Sequence, residues 1–271
     1  MTSFALGKYR CRYLNVGEFD LNADTLFGDV PADTLATALE RHELDPERIV
    51  FQVRALLVDT GVNRVLIDPA GTWDDPYRLE TVLEQEGIDP VSIDTVIVSH
   101  GHADHFWGGI RADGRPLFPG ARYWMQRSEW QHWLPGDNPE PDHAETFRKT
   151  LLPLEDQFTL LDGAHEIVPG VRCRPTPGHS PGHTAVQIGE AAIYTGDVLL
   201  SPINVEHPDW AGRFDVWPEQ VVGSRRELLE ELGQTGSLVL TCHFPGSGAG
   251  RVVADHNGGG DGWRWQPEEL G

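Results

Sequence analysis

The chain has 271 residues, with 42 Asp or Glu against 21 Lys or Arg, for a formal net charge of −21. A hydrophobic content of 39% is enough for one globular core, while the acidity argues against nucleic acid as a partner because it repels phosphate backbones. No run approaches the ~18 apolar residues of a membrane span, and the cysteines Cys11, Cys173 and Cys242 show no CxxC spacing or disulfide framework.

The start, "MTSFALGKYRCRYLNVGEF", lacks the long apolar core of a signal peptide. Together with the unpaired cysteines this predicts a cytoplasmic protein. Segments 51–61 and 63–69 read as two strands joined by a Gly-containing turn. Segment 74–87 carries Leu79, Val82 and Leu83 at helical spacing and stops at Gly87. "IDTVIVS" (93–99) is a short apolar run with the character of a buried strand. The stretch from about 107 to 160 is rich in Trp and Pro, with helices expected at "SEWQHWL" and "DHAETFRKTLL". Strand signals return at 158–163, 171–176, 184–189 and 191–196. Residues 218–233 form the clearest helix, with Pro218 at its first position and Gly233 as its cap. "SLVLTCHF" (237–244) reads as a further buried strand, and "HNGGGDG" (256–262) as a flexible turn. Strands followed by helices, twice over, predict one domain over 1–271 with two β/α halves packed sheet to sheet and helices outside.

The chemistry collects at strand ends. "VIVSHGHADHFWGG" places His100, His102, Asp104 and His105 after one strand. His179 lies in "PTPGHSPGH", Asp197 follows "IYTG", and His243 ends "LVLTC". Taken singly, Asp197 reads as a turn former and His243 as a core histidine. Together, four strand ends can deliver imidazoles and carboxylates to one rim. His100 and His102, two apart, can point the same way, whereas the adjacent Asp104 and His105 must diverge and suit a second ion. Zinc accepts both ligand types. His42, His132, His143, His165, His207 and His256 read as isolated surface residues.

These motifs resemble the metallo-β-lactamase superfamily, over positions 51 to 245. The resemblance implies a four-layer αββα sandwich of the α/β class with two divalent metal ions at one edge, zinc being the expected ion. His100, His102 and His179 would hold one ion; Asp104, His105 and His243 the other; Asp197 would bridge them. His183 would be either a supporting or a purely structural residue. The tail, with "HFPGSGAGRV", is similar to the branch containing methyl parathion hydrolase and lactonase-like enzymes. Two departures stand out: Trp107 is bulky where the family has a small residue, and Val198, Leu199 and Leu200 stand where well-known lactonases place a tyrosine.

The implied activity is hydrolysis of a small uncharged lactone, ester or phosphotriester by a hydroxide shared between the ions, with Asp104 orienting it and passing on its proton. Asp68 is expected to support a ligand histidine, and Cys242 to point away from the site. Phe106 and Trp107 are the expected substrate-binding residues. Trp124, Trp130 and Trp133 are either further pocket walls or core. A glyoxalase II-like thioester hydrolase and a non-catalytic metal-binding sensor or interaction module are the alternatives. The resemblance is also compatible with a homodimer.

Overall fold

The computed structural model describes residues 3–28, 30–136, 138, 140–255 and 262–271. Its frame is two seven-stranded sheets. The first contains, in spatial order, β1 (Ser3–Leu6), β2 (Tyr9–Leu21), β3 (Ile49–Asp59), β4 (Arg64–Ile67), β5 (Thr95–Ile97), β6 (Arg122–Gln126) and β7 (Phe158–Leu161). It is antiparallel from β1 to β4 and parallel from β4 to β7. The second runs from β8 (His165–Val168) through β9 (Val171–Pro175), β10 (Thr184–Ile188), β11 (Ala192–Tyr194), β12 (Leu238–Leu240) and β13 (Ala249–Ala254) to β14 (Trp263–Pro267). Only its β11–β12 pairing is parallel.

Strand periodicity explains the layering. On β4, Val65 and Ile67 face the second sheet, while Leu66 faces outward. On β12, Leu238 and Leu240 face inward and Val239 outward. Both faces of each strand are apolar, so each sheet must be covered on both sides. Between the sheets, Leu56, Val58, Ile97, Val186, Tyr194 and Leu240 form the central core. Outside the first sheet lie α3 (Arg78–Gln85), α4 (Ala103–Phe106), α5 (Arg127–Trp133) and α6 (Pro141–Leu151). Outside the second lies α8 (Pro218–Thr235), through Leu228, Leu229 and Leu232. The short α1 (Ala23–Phe27), α2 (Ala32–Arg41) and α7 (Ile203–Glu206) form a separate cluster beside Phe51 and Leu200. The result is the expected αββα sandwich.

The final helix outruns its expected cap. Gly233 lies inside α8, and the helix ends at Gly236, whose φ of 63° is left-handed and whose N–H reaches the Leu232 carbonyl. The turn expected at 256–262 lies largely outside the described residues. Among the described residues no helix is long and apolar enough to cross a membrane.

Leu56 sits with no exposure between the sheets. Leu56→Ala is expected to lower unfolding stability by about 2–5 kcal/mol, read by urea denaturation, because the packed sheets cannot close the void.

Candidate metal centre

Four chain segments leave the sheets at one rim. The turn after β5 carries His100 and His102, and α4, which starts at Ala103, carries Asp104 and His105. The β9–β10 loop carries His179, the turn after β11 carries Asp197, and the turn after β12 carries His243. All seven side chains meet. His102 Nδ1 lies 3.0 Å from both His100 Nε2 and His179 Nε2. Asp197 Oδ2 stands 3.8 Å from the His100 nitrogen and 3.5 Å from that of His179. On the other side, His105 Nε2 and His243 Nε2 are 3.3 Å apart. Each is 3.4 Å from Asp104 Oδ2 and 3.2 Å from Asp197 Oδ1. The two oxygens of Asp197 thus face two different groups of donors.

The far side of four of the five rings fixes the tautomer. His179 Nδ1 donates to Asp215 Oδ1 (3.0 Å) and His105 Nδ1 to Asp68 Oδ2 (2.9 Å). His243 Nδ1 donates to the Gln52 carbonyl (2.7 Å). Ser99 Oγ spends its proton on Asp68 and so accepts from His100 Nδ1 (3.1 Å). His102 Nε2 faces the Glu140 carboxylate at 3.6 Å. With these protons placed outward, each inward nitrogen is left to hold either a second proton or a metal ion. Lone pairs at 3.0–3.3 Å repel unless a cation lies between them. Ligands of a tetrahedral zinc with bonds of about 2.0–2.1 Å lie about 3.3 Å apart, so both donor groups fit a divalent ion.

The electrostatics agree. Burial opposes charge on His105, but the carboxylates of Asp197, Asp104 and Asp68 outweigh it and hold its pKa well above the usual histidine range. Burial likewise opposes charge on Asp197, yet His105, His243 and His100 hold it far below the carboxylate range. His100 moves the other way, driven down by burial and by His105. These carboxylates draw protons onto His105 and His243, and that positive charge takes the place a bound cation would have.

The family match follows the same stretch. The metallo-β-lactamase superfamily model matches residues 48–243. The chain belongs to the metallo-β-lactamase superfamily. It is 26% identical over 205 residues to the N-acyl homoserine lactonase of Bacillus thuringiensis, a match covering 69% of this chain and 76% of the relative. It is 30% identical over 162 residues to the beta-lactamase-like protein 2 homolog of Drosophila melanogaster, covering 58% of this chain and 50% of that protein. Among solved structures, its fold is similar to that of AidC, a dizinc quorum-quenching lactonase in complex with a product, with a TM-score of 0.89, 22% identity, and 98% of this chain and 97% of that chain covered.

Several supporting residues had no clear local signal. Glu129, buried on α5, accepts from Gly101 N (2.7 Å) and Trp133 Nε1 (2.6 Å) on one oxygen. Its other oxygen accepts from Ser180 Oγ and Gly182 N, both 2.7 Å away. One carboxylate therefore ties the His100–His102 turn to the His179 loop. Arg225, fully buried on α8, holds Asp215 at 3.0 Å and the Val198 carbonyl at 2.6 Å. Gly178 permits this packing: its φ is +132°, and a Cβ there would strike the Val221 backbone. Asp68 supports His105 as expected and also accepts from Tyr194 Oη (2.8 Å). His183 proves to be a supporting residue. Its Nε2 accepts from the Asp197 backbone N–H (2.9 Å), its Nδ1 bonds Thr176, and burial pushes its pKa down to about 3.

Four expectations require correction. Cys242 does not point away: its thiol donates to Asp197 Oδ1 at 3.2 Å, because β12 ends at Leu240 and strand alternation ends with it. Phe106 is fully buried against Phe147 of α6, on the side of α4 that faces the core. Trp107 packs edge-on against Trp73 and is outside the cavity lining. The cavity over the rim, about 230 Å³, is instead walled by Phe19, Leu21, Phe51, Trp73, Leu200 and Phe214. His143, expected at the surface, also lines it. Trp130 and Trp133 belong to the core, and Trp124 packs against the inter-sheet core.

Glu129→Gln would set an amide N–H₂ against two donors. Zinc affinity of the His100–His102–His179 group is expected to fall about 10–100-fold in chelator competition, with less change at the other group. Asp215→Asn should weaken the same group through His179, and equal loss at both groups would count against this division.

Proposed function

We propose that this protein is a binuclear metal-dependent hydrolase of small uncharged electrophiles, lactones first, with esters and phosphotriesters beside them. The observation that carries this reading is the pair of donor groups sharing Asp197 beneath an apolar cavity with no Lys or Arg in its lining. His100, His102 and His179 would hold one ion and Asp104, His105 and His243 the other, with Asp197 common to both. When bound, two divalent ions polarise the electrophile's oxygen and bring the pKa of water toward neutrality. Zinc is the ion best suited to this set of imidazoles and carboxylates.

The chain's own groups do the rest. Asp104 belongs to the second donor group and also faces the cavity. His105 and His243 keep it ionised against the opposing effect of burial. Its carboxylate can accept a proton from the attacking water and return it to the leaving oxygen. The aromatic walls bind an apolar chain and exclude bulk water, which strengthens electrostatic interactions at the rim.

The charge pattern selects among substrates. A net charge of −21 and a cavity rim bearing Asp20, Asp104 and Asp197 disfavour anions. Anionic thioesters and β-lactam carboxylates therefore fit poorly. A neutral lactone fits, and the relatives named N-acyl homoserine lactonase support that choice. A sensor without turnover would not require a complete second donor group opening on a substrate-sized cavity.

The purified protein is expected to bind two zinc ions per chain and to hydrolyse neutral lactones faster than thioesters or β-lactams, measured side by side. Asp197→Ala should lose both ions and at least about 100-fold in kcat/KM. A stoichiometry near one ion, or turnover confined to anionic thioesters, would overturn the proposal.

A further inference from the structure

Alternate residues of β3 point at the second sheet. Leu56 and Val58 belong to the inter-sheet core, and Arg54 continues that row with 5% exposure. A guanidinium on an inward face is costly unless its N–H groups are bonded. Both of its terminal nitrogens go to carbonyls of one turn, across the gap between the sheets. Nη1 donates to the Phe244 carbonyl (2.8 Å) and Nη2 to that of Gly246 (2.7 Å). Gly248 leaves room for the head group, since a Cβ there would stand 2.5 Å from Nη1.

The turn so held carries His243. It closes on itself through Thr241, whose N–H donates to the Gly248 carbonyl at 2.8 Å. Gln52, two residues before Arg54, brackets the histidine. Its N–H donates to the His243 carbonyl at 3.2 Å, and its own carbonyl accepts from His243 Nδ1 at 2.7 Å. His243 follows a strand of the second sheet, whereas Asp104 and His105 follow β5 of the first. The distance between them therefore depends on what joins the two sheets at this rim. Arg54 does so with two hydrogen bonds from one planar fork, which fix both the distance and the orientation of the turn.

We propose that Arg54 is a positioning residue for the second donor group. By holding the Phe244 and Gly246 carbonyls it places His243 against Asp104 and His105, and so sets the affinity of that group for its ion. This rests on the two-ion reading above. It gives the second group a counterpart to Glu129, which ties together the two loops of the first.

The test uses the full chain with zinc alone, read by chelator competition, and cobalt(II) spectra of the same variants. His243→Ala marks which uptake step belongs to the second group. Arg54→Met removes the fork and should weaken that step about 10–100-fold, with the other step nearly unchanged. Its cobalt spectrum should change for the second-step ion only. Arg54→Lys keeps the charge and one hydrogen bond, and should recover part of the loss. If the Met variant does not fold, the Lys variant is read by the same ratio of affinities. Leu56→Ala is the control for lost stability, because it lies in the same row and should leave that ratio as in the wild type. An Arg54 variant that loses stability but keeps the ratio, or weakens both steps equally, would overturn the positioning role while the hydrolase reading stands. A wild-type chain that takes up fewer than two ions would overturn that reading and this role with it.

Discussion

The structure depends on positive charge at one rim, where imidazoles and carboxylates converge. Four imidazoles are oriented by acceptors behind them: Asp215, Asp68, the Gln52 carbonyl and Ser99. Each outward N–H leaves an inward nitrogen. Those nitrogens then converge to about 3 Å in two groups, with carboxylate oxygens beside them. Only positive charge at the two foci makes the arrangement favourable. A surface loop rich in histidine would instead let its rings turn outward to water.

Holding rings in that geometry requires support from both outer layers. Glu129 on α5 bonds backbone from two ligand loops at once, so a helix outside the first sheet sets the distance between His102 and His179. Arg225 on α8 does the corresponding work outside the second sheet. It neutralises Asp215 behind His179 and holds the Val198 carbonyl, one residue after Asp197. A buried Arg–Asp pair contributes little net stability by itself, because desolvation offsets the attraction. Its value here is positional: it makes the far end of a ligand's hydrogen-bond chain rigid. The metal centre is therefore coupled to the packing of α5 and α8.

The motifs on strand ends were legible because each is local: a short apolar run followed at once by a histidine or aspartate. That pattern located all seven rim residues and the sandwich beneath them. What failed was side-chain direction beyond the strand ends. Phe106 adjoins a ligand in sequence, but on α4 consecutive residues turn by about 100°, which sends it into the core against Phe147. Cys242 was placed by strand alternation in a segment that is no longer strand. Phe19, Trp73 and Phe214 come from distant segments, and nothing in their local sequence marks them as cavity walls. His143 did carry a signal. It stands four residues before Phe147 on α6, hence on the same helical face as a core residue, which is a poor position for a surface histidine.

The division between rim and wall has a functional consequence. The rim residues sit on strand ends and are clamped by buried carboxylates, so their geometry can change little without loss of metal. The walls come from β2, β3, the Trp73 loop, α6, Leu200 and the segment around Phe214. Phe51, next to Gln52 and against the His243 ring, links wall to rim. In this chain the wall combines six apolar side chains with Asp20 and His143, so apolar surface and acidic charge meet in one cavity.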